Sequence, residues 1–187
     1  MGKLHTEITD EQQAFIERQQ IFFVGTAATE GSVNISPKGI DSFRVINPNR
    51  VAWLNLTGSG NETSAHVQLN PRMTIMFCAF EGQPLILRLY GQARVLHQQD
   101  KDWQKYFDLF PDHPGTRQIF VVDIERTQNS CGKAVPLYDY VAQREGLLSF
   151  AERRGQQGIE EYWEQTNQTS LDGFPTNIVK RSGIEKK

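Results

Sequence analysis

The sequence has little of what would let metal, disulfides or a bilayer hold it together. Its 187 residues include two cysteines, Cys78 and Cys131, and neither belongs to a CxxC pair. A zinc site or a redox pair needs that spacing. Cys78 lies in the apolar run MTIMFCAF and reads as a small buried hydrophobe. No apolar stretch approaches the ~20 residues of a membrane span. The start, MGKLHTEITDEQQ, has no signal-peptide apolar core. Formal net charge is only −2, which gives no general attraction to nucleic acid or anionic lipid. A cytoplasmic protein without membrane or nucleic-acid partners is expected. In that compartment the glycosylation matches NIS, NLT, NET and NQT meet no machinery, and MGKLHT has no second anchoring signal.

What is present is enough chain for one domain, burying roughly 70% of its extended surface. Thr9 and Gln12 stand in capping-box spacing, predicting a helix over 9–19. Two strand-like runs, IFFVGTAA (21–28) and VNISPKG (33–39), flank the turn TEGS and read as a hairpin. Val33 and Ile35 point to one face, Asn34 and Ser36 to the other. Pro37 removes a donor, so its strand ends there or lies at an edge. Further strands are expected at 51–56, 72–80, 85–96 and 117–128, with helices after residue 61, over 100–111 and over 147–165. Asn70-Pro71 stops the first of these helices, and Gly155 and Gly158 divide the last. At least six strands linked mostly by turns argue for an antiparallel barrel or sandwich with helical additions. The final residues form a tail that docks or frays.

Three features carry candidate chemistry. The stretch LTGSGNETSAH (56–66) joins a strand to a helix, yet it lacks the third glycine of a dinucleotide fingerprint and the Gly-Lys-Ser/Thr of a P-loop. It is either a flexible connection with Asn61 as N-cap, or an anion site at a helix start, with the Ser59, Thr63 and Ser64 hydroxyls adding donors. Glu62 would repel a phosphate if it pointed inward. In NISPKG, the residues Asn34, Ser36 and Lys38 at i, i+2 and i+4 offer an amide, a hydroxyl and an ammonium on one strand face. Arg88 interrupts the apolar strand LILRLY. Either a carboxylate such as Asp123 pairs with it, or it faces a bound anion. His66 and His97 have no ligand-like partner and take surface or capping roles.

Between about residues 15 and 130, these pieces in this order, with VAWLNL, LNPRMTIMF and LILRLYGQARVL, resemble the FMN-binding split-barrel family that includes pyridoxamine 5′-phosphate oxidase. The resemblance implies a mainly β protein with helical additions: a six-stranded antiparallel split β-barrel. Residues 1–145 would form that barrel and 146–187 a C-terminal helical extension and tail of the same domain. It further implies a homodimer with FMN in grooves at the subunit interface. The family's phosphate site maps onto Ser36, Lys38, Asn61 and Thr63, with Ser59 and Arg88 adding donors and Asn34 near the ring or ribityl chain. Cys131, in NSCGKAVP, is a reactive thiol, a lining residue reaching the partner's flavin, or a turn residue packed at the dimer contact.

Two departures stand out. Many family members carry a basic pair at the helix start where this chain has Glu62-Thr63, and the C-terminal Arg-Leu-x-Pro type signature is missing. The expectation is an FMN-dependent oxidoreductase moving hydride between flavin and an unidentified small substrate. The alternative is a barrel that stores or senses FMN or haem without turnover. A nucleic-acid-binding barrel comes third, because Lys and Arg are scarce on the expected strands.

Overall fold

A computed structural model describes residues 2–184. After a two-residue strand, β1 (Leu4–His5), the first helix is α1 (Asp10–Glu17). Thr9 caps it as its spacing predicts: its hydroxyl accepts from the Gln12 N–H, and the Gln12 side chain accepts from the Thr9 N–H. The strands that follow are β2 (Phe22–Thr26), β3 (Asn34–Lys38), β4 (Phe43–Asn47), β5 (Arg50–Leu56), β6 (Arg72–Cys78), β7 (Ile86–Leu96) and β8 (Thr116–Ser130). Helix α2 (Glu62–Leu69) separates β5 from β6, α3 (Trp103–Phe107) separates β7 from β8, and α4 (Gly146–Thr166) and α5 (Ile178–Ser182) close the described chain.

Every strand pair is antiparallel, in the order β3-β2-β6-β7-β8-β5-β4, with β1 attached to β8. Although β3 and β5 stand far apart in that order, the Lys38 ammonium on β3 lies 5.2 Å from the ring centre of Trp53 on β5. The sheet therefore curls into a split barrel. Eight strands are described where the resemblance implies six. Pro37 falls on the edge strand β3, where a missing donor costs no ladder bond.

Alternating apolar residues from β2, β5, β6, β7 and β8 fill the barrel, with the Trp53 and Phe120 rings stacked at 4.4 Å. The run from Ile119 to Val122 is buried on both faces. Its other face meets a second cluster that includes Trp103, Tyr106 and Phe110 around α3. At the Tyr90/Gly91 register shift the strands approach so closely that a Cβ on Gly91 would run into the Asp123 carbonyl.

Some expectations need correction. The helix expected over 100–111 shrinks to five residues flanked by turns. The long C-terminal helix kinks at Gly155, whose φ is 64°, but runs on through Gly158. The tail docks through Ile178 and Val179, which pack with Ile159 and Trp163 in a third cluster; residues 185–187 lie outside the described residues. Neither His66 nor His97 is at the surface. His66 is buried with Nδ1 3.2 Å from the Thr26 hydroxyl, and His97 is buried with both ring nitrogens unpartnered.

Candidate functional site

The period-two geometry of β3 sends Val33 and Ile35 outward, where they are exposed, and turns Asn34, Ser36 and Lys38 inward. Directly after β3, Ile40 (φ 60°) and Asp41 (φ 43°) adopt left-handed backbone, a strained choice for a β-branched residue. Gly39, Ile40 and Ser42 of that turn line one wall of a cleft together with Lys38. The opposite wall is the loop 57–61 and the start of α2. Thr57 anchors the loop by donating both its N–H and its hydroxyl to the Gly115 carbonyl.

The cleft encloses about 500 Å³, within the range of small-molecule sites. Its lining brings together six of the residues singled out from the sequence: Asn34, Ser36, Lys38, Ser59, Asn61 and Thr63. The walls are wired to each other. Ser36 donates to Asn34 Oδ1 (3.1 Å), and the Asn34 side-chain amide donates to Thr63 Oγ1 (3.2 Å) and Thr26 Oγ1 (3.3 Å). Asn61 stands at the N-cap position of α2 but makes no side-chain cap bond; its amide donates instead to the Asn167 carbonyl at 3.4 Å. Its buried Oδ1 has no partner.

Arg88 and Cys131 are not part of this cleft. On β7, Leu87 and Leu89 face the core, so Arg88 points outward and donates to the Ser130 hydroxyl at 3.1 Å. Asp123, the carboxylate considered for it, binds Arg50 and Arg94 instead. Cys131 is exposed just past the end of β8.

The cation that does enter the cleft is Arg117, which the sequence reading missed. It is 2% exposed and sits at a register shift where Asn55 pairs with Gln118 but Leu56 pairs with Thr116. Such a bulge re-aims one side chain. Its Nη1 donates to Asn167 Oδ1 (2.6 Å) and the Gly58 carbonyl (3.4 Å), while Nε has no partner. An arginine entering an apolar strand was a readable signal, the same one that Arg88 gives. Asn55, a buried amide inside VAWLNL, was missed too. It accepts from Lys38 Nζ at 3.4 Å and donates to Gln118, which in turn donates to Ser64.

Among the described residues, neither Lys38 nor Arg117 forms an ion pair. Burial pushes the Lys38 ammonium down to about 8, helped by the nearby Arg117 charge. Burial likewise lowers the Arg117 guanidinium to about 9. Glu62, the acid that could oppose an anion, has its carboxylate engaged by the Leu171 N–H at 2.9 and 3.1 Å. A cleft with two desolvated cations and a helix start, and with its acid tied back, is built for an anion.

A model of the family described as "Pyridoxamine 5'-phosphate oxidase" matches residues 8–131. The chain is 35% identical over 193 residues to the "Pyridoxamine 5'-phosphate oxidase family protein ustO" of Aspergillus flavus, covering 94% of this chain and 78% of that one. The fold superposes on HupZ of Group A Streptococcus, with a TM-score of 0.54 and 22% identity over 66% of this chain and 94% of that one. A Lactobacillus delbrueckii protein gives a TM-score of 0.52 and 18% identity, with the same coverage.

Proposed function

Because the chain belongs to the pyridoxamine 5′-phosphate oxidase family, we propose that its cleft binds FMN through the phosphate and that the protein is an FMN-dependent oxidoreductase. The observation that carries this is the pair of cations, the half-buried Lys38 and the buried Arg117, lining one cleft without a carboxylate partner. A phosphate monoester supplies the missing charge and the acceptors their N–H groups lack.

Other features fit the same ligand. A Cβ at Gly58 would meet no protein atom within 4 Å, and neither Gly58 nor Gly60 has a positive φ. Packing and backbone conformation leave the glycines unexplained, whereas a ligand lying against the loop explains them. The orphaned Asn61 Oδ1 can accept from a sugar-alcohol hydroxyl next to the phosphate. The lining offers no His, Cys, Met or Tyr to ligate haem iron, which favours flavin over haem.

In this assignment Lys38 and Arg117 hold the phosphate, with the Ser36, Ser59 and Thr63 hydroxyls and the first N–H groups of α2 as further donors. Asn34 fixes Ser36 and Thr63 relative to each other. When bound, flavin supplies hydride chemistry at N5, and the chain's part is to orient it and the small substrate. The homodimer belongs to the same proposal. Val33 (72% exposed) and Ile35 (69% exposed) project from the outer face of β3, beside a shallow groove that Tyr90 and Arg126 also line. A cytoplasmic location is part of the same proposal; no helix among the described residues is long and apolar enough to cross a membrane.

A flavin-holding module without turnover is the second reading. It is favoured because the one carboxylate in the lining, Glu62, is already engaged. Purified protein should be yellow and show a thermal upshift with added FMN; colourless protein with no shift overturns both readings. Anaerobic reduction of the bound flavin then separates them. Reoxidation by a candidate acceptor faster than free FMN supports the enzyme, and reoxidation no faster supports the module.

A further inference from the structure

We propose that the C-terminal segment completes the anion site, with Asn167 as the residue that positions Arg117 and the glycine loop. The proposal rests on the FMN reading above. Asn167 follows α4, lies outside the matched residues 8–131, and is fully buried. It grips the site at four points. Its Oδ1 accepts from Arg117 Nη1 at 2.6 Å, and its Nδ2 donates to the Gly58 and Ser59 carbonyls at 3.2 Å each. Its own carbonyl accepts from the Asn61 amide at 3.4 Å.

The contacts to Gly58, Ser59 and Arg117 favour an anion. In a planar trans peptide the N–H points opposite to the C=O. Turning the Gly58 and Ser59 carbonyls toward Asn167 therefore turns the Ser59 and Gly60 N–H groups away from it. Ser59 and Gly60 line the cleft and Asn167 does not, so those donors are on the cleft side and the repelling oxygens are withdrawn. The bond to Arg117 fixes a guanidinium that has no carboxylate to fix it. Four residues on, the Leu171 N–H holds the Glu62 carboxylate. One short segment thus orients donors, aims a cation and ties back the only acid in the lining.

The test compares FMN with riboflavin, which lacks only the phosphate, by fluorescence titration of the full chain. Wild-type protein should prefer FMN. Asn167→Ala should weaken FMN binding by about tenfold to a hundredfold, the scale of a hydrogen bond to a charged group, while riboflavin affinity barely changes. Thr176→Val, near-isosteric, removes the hydroxyl that donates to the Asn167 carbonyl at 2.6 Å and should give a smaller shift in the same direction. If Asn167→Ala does not fold, Thr176→Val decides. Folded variants that keep the FMN preference, or that lose both ligands equally, overturn the proposal. A wild-type protein that does not distinguish FMN from riboflavin overturns the phosphate reading beneath it, a failure visible before any variant is made.

Discussion

Arg117 Nη1 donates to Asn167 Oδ1 across 2.6 Å, joining the bulge of β8 to the segment that follows α4. No carboxylate supports this guanidinium among the described residues, so the folded protein carries a desolvated charge held by neutral partners. The cost of that arrangement is the ligand-free state's, and an anion relieves it.

Arg117→Met should therefore cost affinity without costing stability. FMN binding should weaken by about tenfold to a hundredfold through the lost charged contact. The melting temperature of the ligand-free protein should be unchanged or raised, because a buried uncompensated charge is replaced by an apolar side chain. Calorimetry and flavin titration on one preparation check both; weaker stability with unchanged FMN affinity would contradict the assignment.

Lys38 gives the site a pH dependence. Its folded pKa is lowered from 10.5 to about 8, so above that pH the ammonium is lost and FMN affinity should fall. Between about 8 and 10.5 the unfolded chain binds a proton that the folded ligand-free chain has released, so this group makes the ligand-free protein more stable as pH rises. Lys38→Met should bind FMN more weakly throughout and lose both slopes. A wild-type affinity flat from pH 7 to 9.5 would place the phosphate away from Lys38.

His97 makes the fold acid-sensitive. Burial, aided by the charges of Arg181 and Arg117, lowers its pKa from 6.5 to about 3 despite the opposing pull of Asp100. As pH falls from 6.5 toward 3 the unfolded chain takes up a proton that the folded one refuses, and stability is lost across that window. Thermal unfolding at pH 7, 5.5 and 4.5 should show a shallower decline for His97→Asn than for wild type; parallel declines would contradict it.

Arg88→Met should leave FMN affinity within about twofold, the scale of a substitution outside the site. Arg88 faces outward and bonds Ser130, away from the cleft. A loss as large as that of Arg117→Met would return Arg88 to the phosphate.

Local rules made much of this protein legible. The Thr9/Gln12 spacing gave the capping box, Pro37 marked an edge strand, and two-residue periodicity put Asn34, Ser36 and Lys38 on one wall. What stayed hidden depends on long-range register. Arg88 and Arg117 carry the same signal, an arginine in an apolar strand, and only the bulge at Asn55/Leu56 and the curl of the sheet decide which one enters the cleft. Asn167 is 109 residues from Gly58, and no local pattern links them. Glu62 stood out as an acid in the wrong place, and its partner is a backbone N–H supplied from residue 171.

The most direct measurement is a crystal structure of the FMN complex. The phosphate should lie between Lys38 Nζ and the Arg117 guanidinium, against the first turn of α2. Phosphate density on the outer sheet face near Arg88, or a cleft without flavin at saturating FMN, would contradict the account.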